Sequence, residues 1–137
     1  MKKYLTRLED WFLSSVAIDH VALDEITLEI MRKWRYYPTA RQFQKVLAFI
    51  IYLHRKYGKH LRYTIGTERP IDKNFYEFLA WLQDEYNEGR YKLNIDWGVW
   101  FDLDEEVIPK QYHLTEKRIQ EVNEYLEREK NKGRCTP

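Results

Sequence analysis

The chain has 137 residues, 44% of them hydrophobic and 33% charged, with a formal net charge of +1. That length suits one domain with its own core, and that composition excludes a disordered segment. Glu9, Asp10 and Asp19 interrupt the apolar N-terminal stretch, so neither a signal peptide nor a membrane span is expected.

The small net charge conceals a segregation along the chain. Residues 1–30 carry −3, residues 31–70 carry +9, residues 71–108 carry −7 and residues 109–137 carry +2. Such asymmetry bears on partners and association rather than on fold. Cys135 is the single cysteine, so no internal disulfide can form and a reducing cytoplasm is the expected setting. Abundant Lys, Arg and Glu beside few Ser, Asn and Gln point to a thermophilic source. Eleven Tyr and five Trp predict that some rings lie at the surface.

The predicted elements begin with a helix built on Tyr4, Leu5, Leu8, Trp11, Phe12 and Val16. Asp19 is the expected cap of a second helix carrying Leu23, Ile26, Ile30, Met31 and Trp34, which Pro38 should end. Thr39 and Gln42 then form a capping box, opening a third helix that runs to Gly58. At about 100° per residue, Phe43, Val46, Leu47, Ile50, Leu53 and Tyr57 share one face of that helix. Arg41, Lys45, Ala48, Tyr52, Arg55 and Lys56 share the other, so a basic stripe with a tyrosine in it should face outward.

Pro70 is expected in the first turn of a fourth helix that buries Ile71, Phe75, Phe78, Leu79, Leu82 and Tyr86. Its opposite face shows Lys73, Glu77, Trp81, Asp84 and Glu88, and Gly89 closes it. Tyr91, Leu93, Ile95 and Trp97 alternate with polar residues, which predicts a half-buried strand. One or two further short strands follow Gly98, around the acidic run Asp102 to Glu106. A strand ending at Leu114 should then pass into a last helix capped by Thr115, with Leu114 and Ile119 at the staple positions. Ile119, Val122 and Leu126 give that helix a narrow apolar stripe.

The stretches "RQFQKVLAFIIYL", "DKNFYEFLAWLQDEYNEG" and "YHLTEKRIQEV" resemble winged-helix proteins of the SocA-type antitoxin and adaptor group, over about residues 39–126. The resemblance implies a recognition helix at Asp72 to Glu88 and a wing at Gly98 to Ile108. Both are acidic, with Glu77, Asp84, Glu85 and Glu88 in one and Asp102, Asp104, Glu105 and Glu106 in the other. A polyanion would repel them, so this manner of reading DNA is not expected.

The candidate sites follow from these faces. Trp81, Tyr52, Glu77, Asp84 and Glu88 are the expected protein interface, because tryptophan and tyrosine anchor interfaces and the acids can steer a basic mate. Arg41, Lys45, Arg55, Lys56 and Lys59 are the expected phosphate contacts if the chain binds nucleic acid. His54 is expected as a hydrogen-bonded core histidine, and His20, His60 and His113 are dispersed in sequence. The run Asp102 to Glu106 lacks the glycine and terminal glutamate of a calcium loop and is expected as a solvated wing tip. Neither a phosphate loop, a nucleophile elbow nor a Cys–His pair is present, so no catalytic residue, metal or cofactor is expected.

The expected fold is mainly α: a compact domain of four to five helices with a small wing-like β-hairpin, or a four-helix bundle with a β-excursion. Residues 1–37 would form N-terminal helices, 39–126 the winged-helix-like core and 130–137 a frayed tail. The expected function is a non-enzymatic protein–protein interaction module that forms a homodimer in the cytoplasm. The alternative is a winged-helix transcription regulator that binds duplex DNA through the basic face of the third helix.

Overall fold

The computed structural model describes residues 2–32, 37–65, 69–70, 74–91, 98–113 and 115–134. In chain order these form α1 (Lys2–Val16), β1 (Val21–Ala22), α2 (Leu23–Met31), α3 (Ala40–Tyr57), β2 (Leu61–Ile65), β3 (Arg69–Pro70), α4 (Phe75–Asn87), β4 (Val99–Leu103) and α5 (Glu116–Arg134). The strands make one antiparallel sheet in the order β1-β4-β2-β3. The domain is mainly helical with a small antiparallel hairpin, as the sequence leads one to expect.

α3 forms where its local signals place it. Thr39 N–H donates to Gln42 Oε1 at 2.9 Å while Gln42 N–H donates to Thr39 Oγ1 at 3.2 Å, a reciprocal cap. Gly58 closes the other end at φ 56°, a conformation L side chains avoid. Phe43, Val46, Phe49, Ile50 and Leu53 are all fully buried along its inner face.

α2 departs from expectation at both ends. Asp19 caps no helix; its Oδ1 accepts from the His20 N–H. The chain instead passes through β1, and Glu25 Oε1 reaches back to accept from the Ala22 N–H at 3.1 Å. The helix stops at Met31, well before Pro38, because Arg32 turns left-handed at φ 62° and its N–H closes onto Leu28 O. Trp34 lies outside the described residues.

Three further expectations shift. Pro70 belongs to β3, paired with Thr64, and α4 starts later, where Asn74 Oδ1 accepts from the Glu77 N–H at 2.8 Å. Ile71 and the alternating residues Leu93, Ile95 and Trp97 lie outside the described residues, and Tyr91 is not in a strand. The segment 98–108 is no peripheral wing: β4 lies between β1 and β2, with Val99, Phe101 and Leu103 buried. The hairpin is β2–β3, and β2 was not foreseen. Before α5 the chain makes short 3-10 turns at Glu105–Val107 and Lys110–Tyr112 rather than a strand.

One continuous core joins α1, α2, α3, α4 and the sheet, with Tyr91 and Ile108 added from the connections. Tyr91 enters beneath α2, where its hydroxyl lies 2.5 Å from Thr27 Oγ1, and Thr27 in turn donates to Leu23 O. α5 stands apart from this core. Every α5 side chain described is exposed except Val122, which is half-buried.

Candidate nucleic-acid interface

α3 is held from two flanks, and those contacts decide which of its residues remain available. On the α1 flank, Glu9 is only 7% exposed and accepts from three side chains of α3. Tyr52 Oη donates at 2.9 Å, Tyr57 Oη at 2.5 Å, and Lys56 Nζ sits 2.7 Å from Glu9 Oε2. Burial alone would raise the Glu9 carboxyl, but the hydrogen bonds from Lys56, Tyr57 and Tyr52 outweigh it and hold it below the ordinary range. The bond to Glu9 correspondingly pushes Lys56 up.

On the other flank α4 lies antiparallel to α3. Phe43 stacks on Tyr86 with centroids 4.3 Å apart, Gln44 donates to Gln83 at 2.9 Å, and His54 stacks on Phe75 at 3.7 Å. The ring contact of His54 replaces the hydrogen-bonded core position expected for it. Stacking is available to any imidazole beside an aromatic ring, so sequence spacing carried no sign of it.

Between these flanks Arg41, Lys45, Ala48, Arg55 and Lys59 are exposed. Among the described residues, none of the four basic side chains takes part in an ion pair. Lys45 Nζ lies 5.4 Å from the Tyr4 ring, and Arg7 lies 5.5 Å from the same ring. Arg32, at the end of α2, adds a third cation close enough to act on Tyr4, whose hydroxyl is raised by burial and lowered in part by Arg7 and Arg32. Arg7 is itself paired with Glu29 at 3.3 Å, so of these two neighbours it is Arg32, at the end of α2, that extends the basic row of α3.

Two residues expected in this row are already engaged. Lys56 is bound to Glu9, and Tyr52 is half-buried with its hydroxyl on the same carboxylate. Trp81, expected to stand outward from α4, is half-buried against the core with its ring 6.3 Å from Phe78. Glu77, Asp84 and Glu88 are exposed on α4 as expected, and so is Tyr76, at 80%, which sequence reasoning passed over.

The acidic run is solvated at Glu105 and Glu106, as expected, but Asp102 and Asp104 are half-buried and paired. Arg62 Nη2 bridges Asp102 at 3.1 Å and Asp104 at 3.2 Å, and His60 Nδ1 meets Asp104 at 3.1 Å and Glu106 at 3.2 Å. His20, far off in sequence, reaches Asp102 at 3.6 Å. The cause is strand register, since Arg62 lies directly opposite Asp102 in the β2–β4 pair. Part of the charge segregation seen along the sequence is thus neutralised within the chain. Among the described residues, the basic side chains of α3's outer face are among those left outside these ion pairs.

Comparison with protein-family models, curated proteins and solved structures finds no match. No helix among the described residues is long and apolar enough to cross a membrane.

Proposed function

We propose that this is a non-enzymatic module that binds duplex DNA through the outer face of α3, in a cytoplasmic setting. One observation carries the reading: Arg41, Lys45 and Arg55 on α3, with Lys59 in the short turn that follows it, form an exposed row that takes part in no ion pair among the described residues. Helix-turn-helix proteins lay one exposed face of a second helix in the major groove, and α3 likewise exposes one face, although residues 32–39 separate it from α2. From Arg41 to Arg55 the row covers about 21 Å at 1.5 Å per residue, enough to reach phosphates on both sides of a groove about 12 Å wide. The acidic α4, to which the family resemblance assigned recognition, is not needed for this.

Fluorescence anisotropy with a short labelled duplex tests the proposal. Binding at low salt is expected, weakening with a log–log slope of about −3 to −4 if all four cations release counterions. The triple change Arg41→Glu, Lys45→Glu and Arg55→Glu should remove it, while Lys117→Glu, exposed on α5, should not. Absence of binding at low salt, or equal binding by the triple variant, overturns the proposal.

A second reading, a protein-interaction module that joins two copies of the chain, is favoured by a separate observation. Trp81 and Tyr52, expected as its anchors, are half-buried in the domain, and the exposed apolar residues of α5 offer a further anchor.

A further inference from the structure

α5 is a helix of 19 residues whose apolar positions find no place in the core. Ile119 is 45% exposed and Leu126 57%, with half-buried Val122 between them. At about 100° per residue these three fall within one narrow stripe. Tyr125, 56% exposed, flanks it on one side, and Glu116, Asn123 and Glu127 flank it on the other beside a shallow groove formed entirely by α5 residues. Most of a helix's stability in a protein comes from packing its apolar face, so an uncovered stripe is a face available for a partner.

We propose that the occupant of this face is α5 of a second copy, lying antiparallel. The charges argue for it. Lys130 falls on the same flank of the stripe as Glu116 and Asn123. An antiparallel pair centred on Asn123 sets Glu116 of each copy opposite Lys130 of the other, so both contacts are attractive. A parallel pair in register would set Glu116 against Glu116 and Lys130 against Lys130. The helix as a whole carries six basic and five acidic residues, a mixed balance that gives a polyanion little to bind. The contact is about 28 Å long with a thin apolar seam, so association belongs in the micromolar range rather than tighter.

Sedimentation equilibrium without DNA tests this independently of the α3 proposal, since either result stands whatever the duplex does. A concentration-dependent dimer is expected, and Ile119→Glu with Leu126→Glu should weaken it by about tenfold or more. Glu116→Lys should weaken it too, and adding Lys130→Glu should restore it. Should the double glutamate variant fold poorly, Asn123→Cys in a Cys135→Ser background provides a second reading. Under mild oxidation it should form a disulfide dimer, whereas Glu121→Cys on the outer side should not. A wild type monomeric through the high micromolar range, a dimer indifferent to the stripe, charge exchange without rescue, or no preference for Asn123→Cys each overturns the proposal.

Discussion

α3 and α5 are amphipathic helices of nearly equal length, 18 and 19 residues, and the domain treats them in opposite ways. The centre of α3's apolar face, Phe43, Val46, Phe49, Ile50 and Leu53, is fully buried in the core, with Leu47 and Tyr57 half-buried at its edges, and its polar face is sorted by contact into engaged and available residues. The apolar face of α5 remains open. The difference lies in what borders each helix. α3 is followed at once by Gly58 and β2, whose pairing with β4 draws it over the core. α5 follows two short turns and meets no such constraint. Periodicity states that a helix has a side to bury; it does not state against what.

The largest test of that contrast is truncation in the two seams. Phe49 is fully buried, and Phe49→Ala should destabilise the domain by about 3–5 kcal/mol in urea denaturation. Leu126→Ala should change the monomer by no more than about 0.5 kcal/mol, because it removes a side chain already in water. A comparable loss from both would place α5 in the core and erase the contrast.

A smaller effect is expected at the joint between α1 and α3. Glu9→Gln removes the charge that Tyr52, Tyr57 and Lys56 share and should cost about 1–3 kcal/mol near pH 7. The sign with pH follows from the lowered Glu9 carboxyl. Its stabilising contribution is complete above the ordinary glutamate value of about 4.3 and is lost as the pH falls through the folded value. Denaturation midpoints compared between about pH 7 and pH 3 should therefore converge for the native chain and the Gln variant. A constant gap between them would assign the loss to packing rather than to charge.

The smallest effect concerns how α3 ends. Gly58 sits at φ 56° and an added Cβ meets nothing within 4 Å, so Gly58→Ala tests backbone conformation alone. A loss of about 1–2 kcal/mol is expected, read from thermal or urea midpoints. No loss would mean that the turn into β2 tolerates an ordinary residue and that α3 is positioned by packing only.

The sequence by itself determined the elements whose signals lie within a few residues of one another. Thr39 with Gln42 and the stop at Gly58 delimit α3, Gly89 closes α4, and the spacing of Phe43, Val46, Ile50 and Leu53 marks the buried face, because i to i+4 geometry is local. Only the tertiary structure decided the rest. Val21–Ala22 is too short to show alternation and exists as a strand because Phe101 and Trp100 pair with it. Arg62 and Asp102 are forty positions apart, and only strand register reveals that they cancel. Lys56 looked equivalent to Lys45 on a helical wheel until α1 brought Glu9 against one and the Tyr4 ring against the other. Partners of a charge are set by which distant segments the core draws together, and no local pattern encodes that distance.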